Sequence, residues 1–226
     1  MGRYTISERL ARSLPLSFRS FVASHAGSHR RFVGPGDVYD VSGANQFNLL
    51  TMLGLRGTHR VLDIGCGSLR AGRLFIAYLE PGHYFGVEPE RWLVESAIRA
   101  ELGRGVVALK RPTFQYRDDF RLSAFGETFD FLLAASVFTH TAPRQIQTCL
   151  LEAAAVMPPD GVFVATFALG AHDYDGDEWA YPGLVTYTLD RVKGFARAAG
   201  LSCECVDFPW MNPRRVQSWF AFTPIS

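Results

Sequence analysis

The stretch VLDIGCGSLRAG, Val61 to Gly72, decides the fold of this chain. Its first four residues are typical of a buried strand, and two glycines then interrupt the apolar run. In an open α/β sheet, ligands bind beyond the carboxyl ends of the strands, and the turn after the first strand is a favoured position. Gly65 and Gly67 carry no Cβ atom, so a ligand can lie directly against the backbone. The stretch therefore predicts a nucleotide-type site at the start of an α/β domain.

The same turn indicates what kind of ligand it receives. The dinucleotide fingerprint needs a third glycine three residues after the second, and Arg70 occupies that position, with Gly72 as a partial substitute. Asp63 lies inside the motif, where a carboxylate repels a phosphate but attracts an ammonium or a sulfonium. The turn favours a cationic ligand over a pyrophosphate, which argues against a nicotinamide oxidoreductase.

Strands alternate with helices after the first strand, as in a doubly wound, mostly parallel α/β sheet. Helices are predicted over Asn45–Leu55 and along the apolar stripes Ile146–Met157 and Leu189–Ala199. The last two strands join without a helix, so the sheet ends in an antiparallel β-hairpin. The seven predicted strands are Arg60–Ile64, Tyr84–Val87, Phe114–Tyr116, Phe129–Ser136, Gly161–Phe167, Leu201–Phe208 and Ser218–Ile225.

The first 36 residues differ in character and are predicted to form an N-terminal helical cap on a domain of residues 37–226. Apolar residues recur there at helical spacing among arginines, and Pro15 separates two short amphipathic helices. A basic amphipathic segment of this kind also suits a membrane surface, but the cap is the preferred interpretation. The apolar positions are Ile6, Leu10, Leu14, Phe18, Phe21 and Val22.

Composition narrows the class of partner. A net charge of +1 provides no bulk field for a polyanion, so a small molecule is expected rather than nucleic acid. The four cysteines lack paired spacing, which fits a reducing, cytoplasmic compartment without a structural metal. The longest apolar run, Phe131–Phe138, is too short to span a bilayer, and the N-terminus lacks a signal-peptide core. A homodimer is compatible with these features.

Acidic residues follow the second and third predicted strands. Glu88 ends the second strand, where nucleotide sites place a carboxylate that accepts both ribose hydroxyls. Asp118 and Asp119 offer an acceptor for an adenine amine, and Phe120 offers a ring for its face. An ordinary Asx turn is the alternative for this last group.

Four segments, VLDIGCG, GVEP, RDDF and FDFLLAASVFTH, together resemble the class I, Rossmann-like methyltransferases in their order and spacing. The resemblance covers residues 37–226 and implies S-adenosyl-L-methionine as cofactor. It implies that Asp63, Gly65 and Gly67 contact the methionine end and that Glu88 holds the ribose. The further cofactor contacts that it implies are Gln46, Cys66, Pro89, Asp118, Asp119, Phe120, Ala135 and Ser136.

The chemistry of methyl transfer directs attention to two histidines. A sulfonium methyl is already activated, so the protein must align the acceptor, exclude water and, for a hydroxyl, remove a proton. His140 follows the fourth strand, and His172 opens the Gly170–Pro182 insertion after the fifth; both are candidate catalytic bases and substrate contacts. The alternatives are a loop-bonding histidine and a solvated loop. Tyr39, Tyr174 and Trp179 are predicted to add an aromatic wall for the substrate.

No metal is expected at the site. Catechol-type members of the family bind magnesium through an acid at the end of the fourth strand, and Ala134–Ser136 has none there. The alternating acids of the insertion lack the glycine and the final glutamate of a calcium loop. The Pro-Pro-aromatic signature of base-modifying members is also missing at the fourth strand.

These features predict an enzyme that moves a methyl group from S-adenosylmethionine to a small molecule. Oxygen is the favoured acceptor atom, for instance in natural-product biosynthesis. The alternatives are N-methylation of a small molecule and a member of the fold that binds the cofactor without transferring the methyl. The N-terminal cap and the Gly170–Pro182 insertion are predicted to face each other across the cofactor.

Overall fold

A computed structural model describes residues 29–211 and 216–225 of the chain. The predicted helices of residues 1–28 lie outside the described residues. Within the described ranges, no helix is both long enough and apolar enough to cross a membrane.

A seven-stranded mixed sheet forms the centre of the fold, in the order β3-β2-β1-β4-β5-β7-β6. β7 runs antiparallel to both β5 and β6, while the other neighbouring pairs are parallel. The predicted fold class is confirmed, including the C-terminal antiparallel hairpin. The strands are β1 (Val61–Ile64), β2 (Tyr84–Val87), β3 (Thr113–Gln115), β4 (Phe131–Ala134), β5 (Val162–Phe167), β6 (Leu201–Val206) and β7 (Ser218–Pro224).

β4 is shorter at both ends than the predicted strand. The Phe129 N–H donates to the carbonyl of Val156, at the end of the following helix, and so is not part of the sheet ladder. At the other end Ser136 has φ +62°, and its N–H donates at 2.7 Å to the Oγ1 of Thr166 in β5 and not to a main-chain carbonyl, so the ladder ends. The chain that follows β4 is thereby released to line a cavity.

Seven α-helices surround the sheet in the described residues. They are α1 (His29–Phe32), α2 (Tyr39–Met52), α3 (Gly72–Tyr78), α4 (Arg91–Ala97), α5 (Arg104–Lys110), α6 (Pro143–Val156) and α7 (Leu189–Ala198). Short 3-10 turns occupy Gly36–Val38 and Leu122–Phe125, and a π-type turn continues α4 over Ile98–Leu102.

α2 begins six residues before the predicted start at Asn45. The reason is tertiary: the Tyr39 side chain is buried, and its hydroxyl donates to the Ser68 carbonyl at 2.6 Å, which fixes the first turn against the loop after β1. The helix also ends at Met52, short of the predicted Leu55.

The two faces of the sheet bury separate apolar layers. β1, β2 and β4 are buried along their whole length, as parallel strands covered on both faces require. Leu62 and Ile64 pack with α6 and α7 on one face, whereas Val61 packs with α2 and α3 on the other. Since side chains alternate along a strand, Asp63 lies on the same face as Val61. The Asp63 carboxyl is therefore buried because of its position in β1.

Candidate active site

A cavity of about 450 Å³ lies beyond the carboxyl ends of β1, β2 and β4. The turn after β1, the end of β2, the segment after β3 and the loop after β4 form its floor, while the segment after α1 and the insertion after β5 complete its wall. The predicted cofactor residues that line it are Gln46, Asp63, Gly65, Cys66, Gly67, Glu88, Pro89, Asp118, Phe120, Ala135 and Ser136. Of the predicted substrate residues, His140 and Trp179 line it.

The turn after β1 has room only for glycine. Gly65 and Gly67 have φ values of +68° and +55°, in the left-handed region. A Cβ at Gly65 would lie 2.7 Å from Val137 Cγ2, and one at Gly67 would lie 2.9 Å from Val33 Cγ1. The Gly65 N–H donates to the Val87 carbonyl at 2.8 Å, which ties the turn to the end of β2. The backbone is thus held between two valines, with its inner surface bare.

Glu88 is positioned by backbone groups. Its Oε2 accepts from the Gly67 N–H and its Oε1 from the Glu90 N–H, both at 2.9 Å. Burial raises the pKa of the Glu88 carboxyl to about 7, although the two N–H groups act in the opposite direction. The carboxyl therefore bridges the turns after β1 and β2 in a fixed orientation at the cavity.

Asp63 is held from the neighbouring strand. The Tyr84 hydroxyl donates to Asp63 Oδ2 at 2.8 Å, and burial raises the pKa of the Asp63 carboxyl to about 7. A Cβ at Gly72 would collide with the Tyr84 hydroxyl. Gly72 is therefore not a substitute for the third glycine of the dinucleotide fingerprint, because its role here is to admit this tyrosine. Tyr84 was missed by the sequence analysis, and its only signal was a polar tip in a buried strand.

Two nitrogen-bearing side chains enter the cavity near the glycine turn. Arg70 lines it, its Nη1 donates to the Val33 carbonyl at 3.3 Å, and burial lowers its pKa. Gln46 Nε2 is buried and has no hydrogen-bond partner among the described residues. A buried donor without a partner costs free energy until a ligand acceptor meets it. In the sequence Arg70 is marked only as the residue that replaces the third glycine of the dinucleotide fingerprint.

His140 is in the position predicted for it, and its loop-bonding alternative is also realised. It is 5% exposed, it lines the cavity, and its Nδ1 bonds the Gly183 carbonyl at 2.5 Å. The Ala180 N–H donates to the His140 carbonyl at 2.8 Å, so the insertion is attached to the loop after β4. A carbonyl accepts only from a protonated nitrogen, which places the ring proton on Nδ1 and makes Nε2 the basic nitrogen.

The described end of the predicted cap meets the insertion at the cavity. The Tyr181 hydroxyl donates to the Phe32 carbonyl at 3.0 Å, between residues 149 positions apart. α1 is also bound to the turn that continues α4, where Glu101 pairs with Arg30 at 2.6 Å and with His29 at 3.0 Å. Phe32, Val33 and Tyr181 line the cavity and were missed, because no local pattern distinguishes them from other loop residues.

Four predicted site residues do not line the cavity. Tyr39 is buried under the loop after β1, as described above. Asp119 is paired with Arg117 at 2.7 Å, which lowers the pKa of its carboxyl to about 2. His172 is exposed and offers its carbonyl to Thr186, so the solvated-loop alternative describes its side chain. Tyr174 turns back on the insertion and donates to the Glu178 carbonyl at 3.1 Å. Three of these side chains, those of Tyr39, Asp119 and Tyr174, make a hydrogen bond or an ion pair away from the cavity, and that of His172 is exposed.

Comparisons with known proteins agree with this geometry. Residues 62–163 match the family model of a methyltransferase domain. Magnesium protoporphyrin IX methyltransferase from Synechocystis, solved with bound S-adenosylmethionine, aligns over 100% of both chains with a TM-score of 0.63 and 16% identity. CalO1, a methyltransferase in calicheamicin biosynthesis, aligns over 98% of this chain and 68% of its own, with a TM-score of 0.57 and 19% identity. DesVI from Streptomyces venezuelae aligns over 86% and 95%, with a TM-score of 0.58 and 18% identity.

At these identities the structural likenesses establish the fold, and the family model adds the kind of domain. Residues 62–163 are thus a methyltransferase domain by the family model, and the chain has the fold of S-adenosylmethionine-dependent methyltransferases. Among the described residues, no three His, Cys, Asp or Glu side chains are grouped closely enough to hold a metal ion.

Proposed function

We propose that this enzyme transfers the methyl group of S-adenosylmethionine to an oxygen atom of a small molecule, without a metal ion. The observation that carries the proposal is one continuous cavity, in which the glycine turn with its two buried carboxyls leads to His140 and the aromatic side chains of the insertion. The likeness to a methyltransferase of calicheamicin biosynthesis supports a small-molecule acceptor.

The residues at the glycine turn fit the cofactor. Gly65 and Gly67 line the cavity with backbone atoms alone, so the cofactor would lie directly against the turn. Glu88 would accept from the ribose hydroxyls, and Asp63 would attract the ammonium group of the methionine end. Gln46 Nε2, which lacks a partner among the described residues, would donate to the carboxylate together with Arg70. The adenine would contact Asp118 and Phe120, while Cys66, Pro89, Ala135 and Ser136 would surround the nucleoside.

At the other end of the cavity His140 would act as general base. When bound, the cofactor supplies a sulfonium-activated methyl group. His140 Nε2 takes the hydroxyl proton and passes it to solvent. Trp179 and Tyr181 line the cavity together with His140 and would limit the access of water to the reacting atoms.

The experiment that tests the acceptor atom is a screen with trideuteromethyl-labelled S-adenosylmethionine against phenols, aliphatic alcohols, carboxylic acids and amines. Fragmentation mass spectrometry locates the label in each product. Label on oxygen, with kcat lowered at least tenfold in His140→Gln, is the expected result. Label on nitrogen would establish the N-methyltransferase alternative instead.

A second measurement tests the cofactor roles. Calorimetric titration with S-adenosylhomocysteine should give saturable binding, and NADH should give none. Saturable NADH binding in the absence of S-adenosylhomocysteine binding would overturn the assignment of the glycine turn.

A further inference from the structure

One face of α2 lies against the segment that follows the glycine turn. Tyr39, Gly43 and Gln46 are spaced i, i+4 and i+7, so they share one stripe of the helix, and all three are buried. The Tyr39 hydroxyl donates to the Ser68 carbonyl at 2.6 Å, and Gln46 lines the cavity two turns further along. Gly43, between them, determines how closely the helix can approach this segment.

Gly43 lies where α2 leaves no room for a side chain. A Cβ there would collide with the Arg70 carbonyl oxygen and would lie 3.0 Å from the carbonyl carbon. Both are backbone atoms, so they cannot rotate away as a flexible side chain could. The Arg70 carbonyl also accepts from Arg73 Nε at 3.3 Å, which ties it to the first turn of α3. An alanine at Gly43 would therefore push α2 outward, by about 1 Å if a carbon–oxygen contact of ~3.3 Å is to be restored.

Helix propensity does not explain a glycine at this position. Gly43 lies inside the 14-residue α2, where alanine is intrinsically preferred to glycine. Gly194 also lies inside a helix, α7, but a Cβ there would have no neighbour within 4 Å in the part of the chain that the structure describes. At Gly43 the missing methyl group makes a close contact possible, and at Gly194 it does not.

The close approach brings an unpaired donor to the cavity. Gln46 and Arg70 both line the cavity, and Gln46 Nε2 is buried without a hydrogen-bond partner among the described residues. A hydrogen bond needs a donor–acceptor distance of about 2.7–3.2 Å, so an outward shift of about 1 Å would take Nε2 out of reach of an acceptor fixed in the cavity. Glu88 and Asp118, which are assigned to the nucleoside, follow β2 and β3 and should keep their positions.

We propose that Gly43 is a positioning residue for cofactor binding. By letting α2 lie against the Arg70 backbone, it places the Gln46 amide where that amide donates to the carboxylate at the methionine end of the cofactor. The site thereby favours ligands that carry the amino-acid group over adenine nucleosides that lack it. The inference rests on the function proposed above, since it concerns the same cofactor site.

The test is calorimetry on the full chain with S-adenosylhomocysteine and 5′-deoxy-5′-methylthioadenosine, which share the nucleoside and the thioether but differ in the amino-acid group. Gly43→Ala should weaken S-adenosylhomocysteine binding at least about tenfold and change binding of the second ligand less than about twofold. Gly194→Ala, the same substitution inside α7, is the control and should change neither affinity. Equal losses for both ligands in Gly43→Ala, or no loss for either, overturn the proposal.

A double-mutant cycle shows whether Gly43 acts through Gln46. Gln46→Leu removes the amide donor at similar size and should itself weaken S-adenosylhomocysteine binding about tenfold. In that background Gly43→Ala should cost less than about threefold, because the hydrogen bond that it disrupts is already absent. The same loss from Gly43→Ala in both backgrounds overturns the positioning role.

Tyr39→Phe carries the test if Gly43→Ala does not fold. It removes the hydrogen bond to the Ser68 carbonyl from the same stripe of α2 without adding an atom. Binding of S-adenosylhomocysteine should weaken about threefold and that of the second ligand should not change, whereas unchanged binding of both overturns the proposal. If the wild-type chain binds no S-adenosylhomocysteine, the function proposed above fails. Wild-type binding that is insensitive to Gly43→Ala overturns the positioning role alone.

Discussion

The two ends of the cavity are built in different ways. The cofactor end is formed by residues that directly follow two neighbouring strands. The glycine turn follows β1, and Glu88 follows β2 and accepts a hydrogen bond from the backbone of that turn. The aromatic end, which Phe32, His140, Trp179 and Tyr181 line, is assembled from segments far apart in the chain. They are held by contacts such as the hydrogen bond from Tyr181 to the Phe32 carbonyl. The first end consists of backbone and buried carboxyls, and the second consists of rings.

Because of this difference, substitutions should affect the two ends of the cavity in different ways. At the glycine turn of the cofactor end, an added Cβ would lie within 3 Å of Val137 or Val33, so a single methyl group there displaces neighbouring side chains. The aromatic end depends on how the N-terminal segment and the insertion dock, so changes at their distant anchors act on it indirectly. Four substitutions or conditions sharpen the contrast.

The largest effect is expected at Gly65. Gly65→Ala should lower the affinity for S-adenosylhomocysteine more than about 100-fold, because its Cβ would meet Val137 at 2.7 Å as well as the strain of a positive φ. Gly126→Ala is the matched control, since Gly126 has the same φ of +68° and no neighbour within 4 Å. Calorimetry and thermal unfolding should show a loss of stability in both variants and a loss of affinity in Gly65→Ala alone. Equal affinity losses would mean that steric closure of the turn is irrelevant.

Removal of the Glu88 carboxyl ranks next. Glu88→Ala leaves the N–H groups of Gly67 and Glu90 without their acceptor and should weaken S-adenosylhomocysteine binding by about 1–3 kcal/mol. Calorimetry gives the difference directly. Glu127→Ala, which removes a carboxyl paired with Arg60 away from the cavity lining, is the control. An unchanged affinity in Glu88→Ala would remove Glu88 from the ribose site.

The pH dependence of cofactor binding should be smaller but distinctive. The pKa values of Asp63 and Glu88 are raised by burial to about 7, so both carboxyls are largely protonated at pH 6 in the free protein. Their contribution to stability is present below the ordinary carboxyl pKa and is lost as pH rises through 7. A ligand that needs them ionised binds more tightly as pH rises, by up to about tenfold between pH 6 and pH 8 for each carboxyl that must lose its proton.

Calorimetry across that range measures the slope. In Asp63→Asn the slope should fall, because one of the two titrating groups is gone. In Tyr84→Phe the midpoint should move to higher pH, since the hydrogen bond from Tyr84 opposes the rise in the pKa of Asp63. A flat profile in the wild type would show that neither carboxyl changes protonation on binding.

The smallest effect is expected at the anchor of the N-terminal segment. Glu101→Gln weakens the ion pair with Arg30, which holds the pKa of Glu101 at about 2, and should cost only about 0.5–1.5 kcal/mol of unfolding free energy. Hydrogen exchange should nevertheless become faster in residues 29–33, because local opening needs less energy than global unfolding. Glu95→Gln, whose partner Arg91 lies on the surface of the same helix, is the control. Unchanged exchange in residues 29–33 would show that other contacts hold α1.

Much of the fold was predictable, because its signals are local. The number and order of strands, the antiparallel end of the sheet and the helices that follow β4 and β5 are all encoded in apolar runs and stripes. The errors fell at boundaries, where a single distant partner decides the outcome. α2 starts early because Tyr39 reaches Ser68, and β4 stops early because Ser136 bonds Thr166.

The site divides in the same way. The sequence by itself determined the glycine turn, the acids at the ends of β1 and β2 and the position of His140, since all of these follow strands whose carboxyl ends must share one edge of a parallel sheet. Only the tertiary structure decided that Tyr84 holds Asp63 through the space left by Gly72, that the half-buried Arg70 lines the cavity, and that Tyr181 donates to the Phe32 carbonyl. Those contacts depend on the packing of residues far apart in the chain, and no spacing along the sequence specifies them.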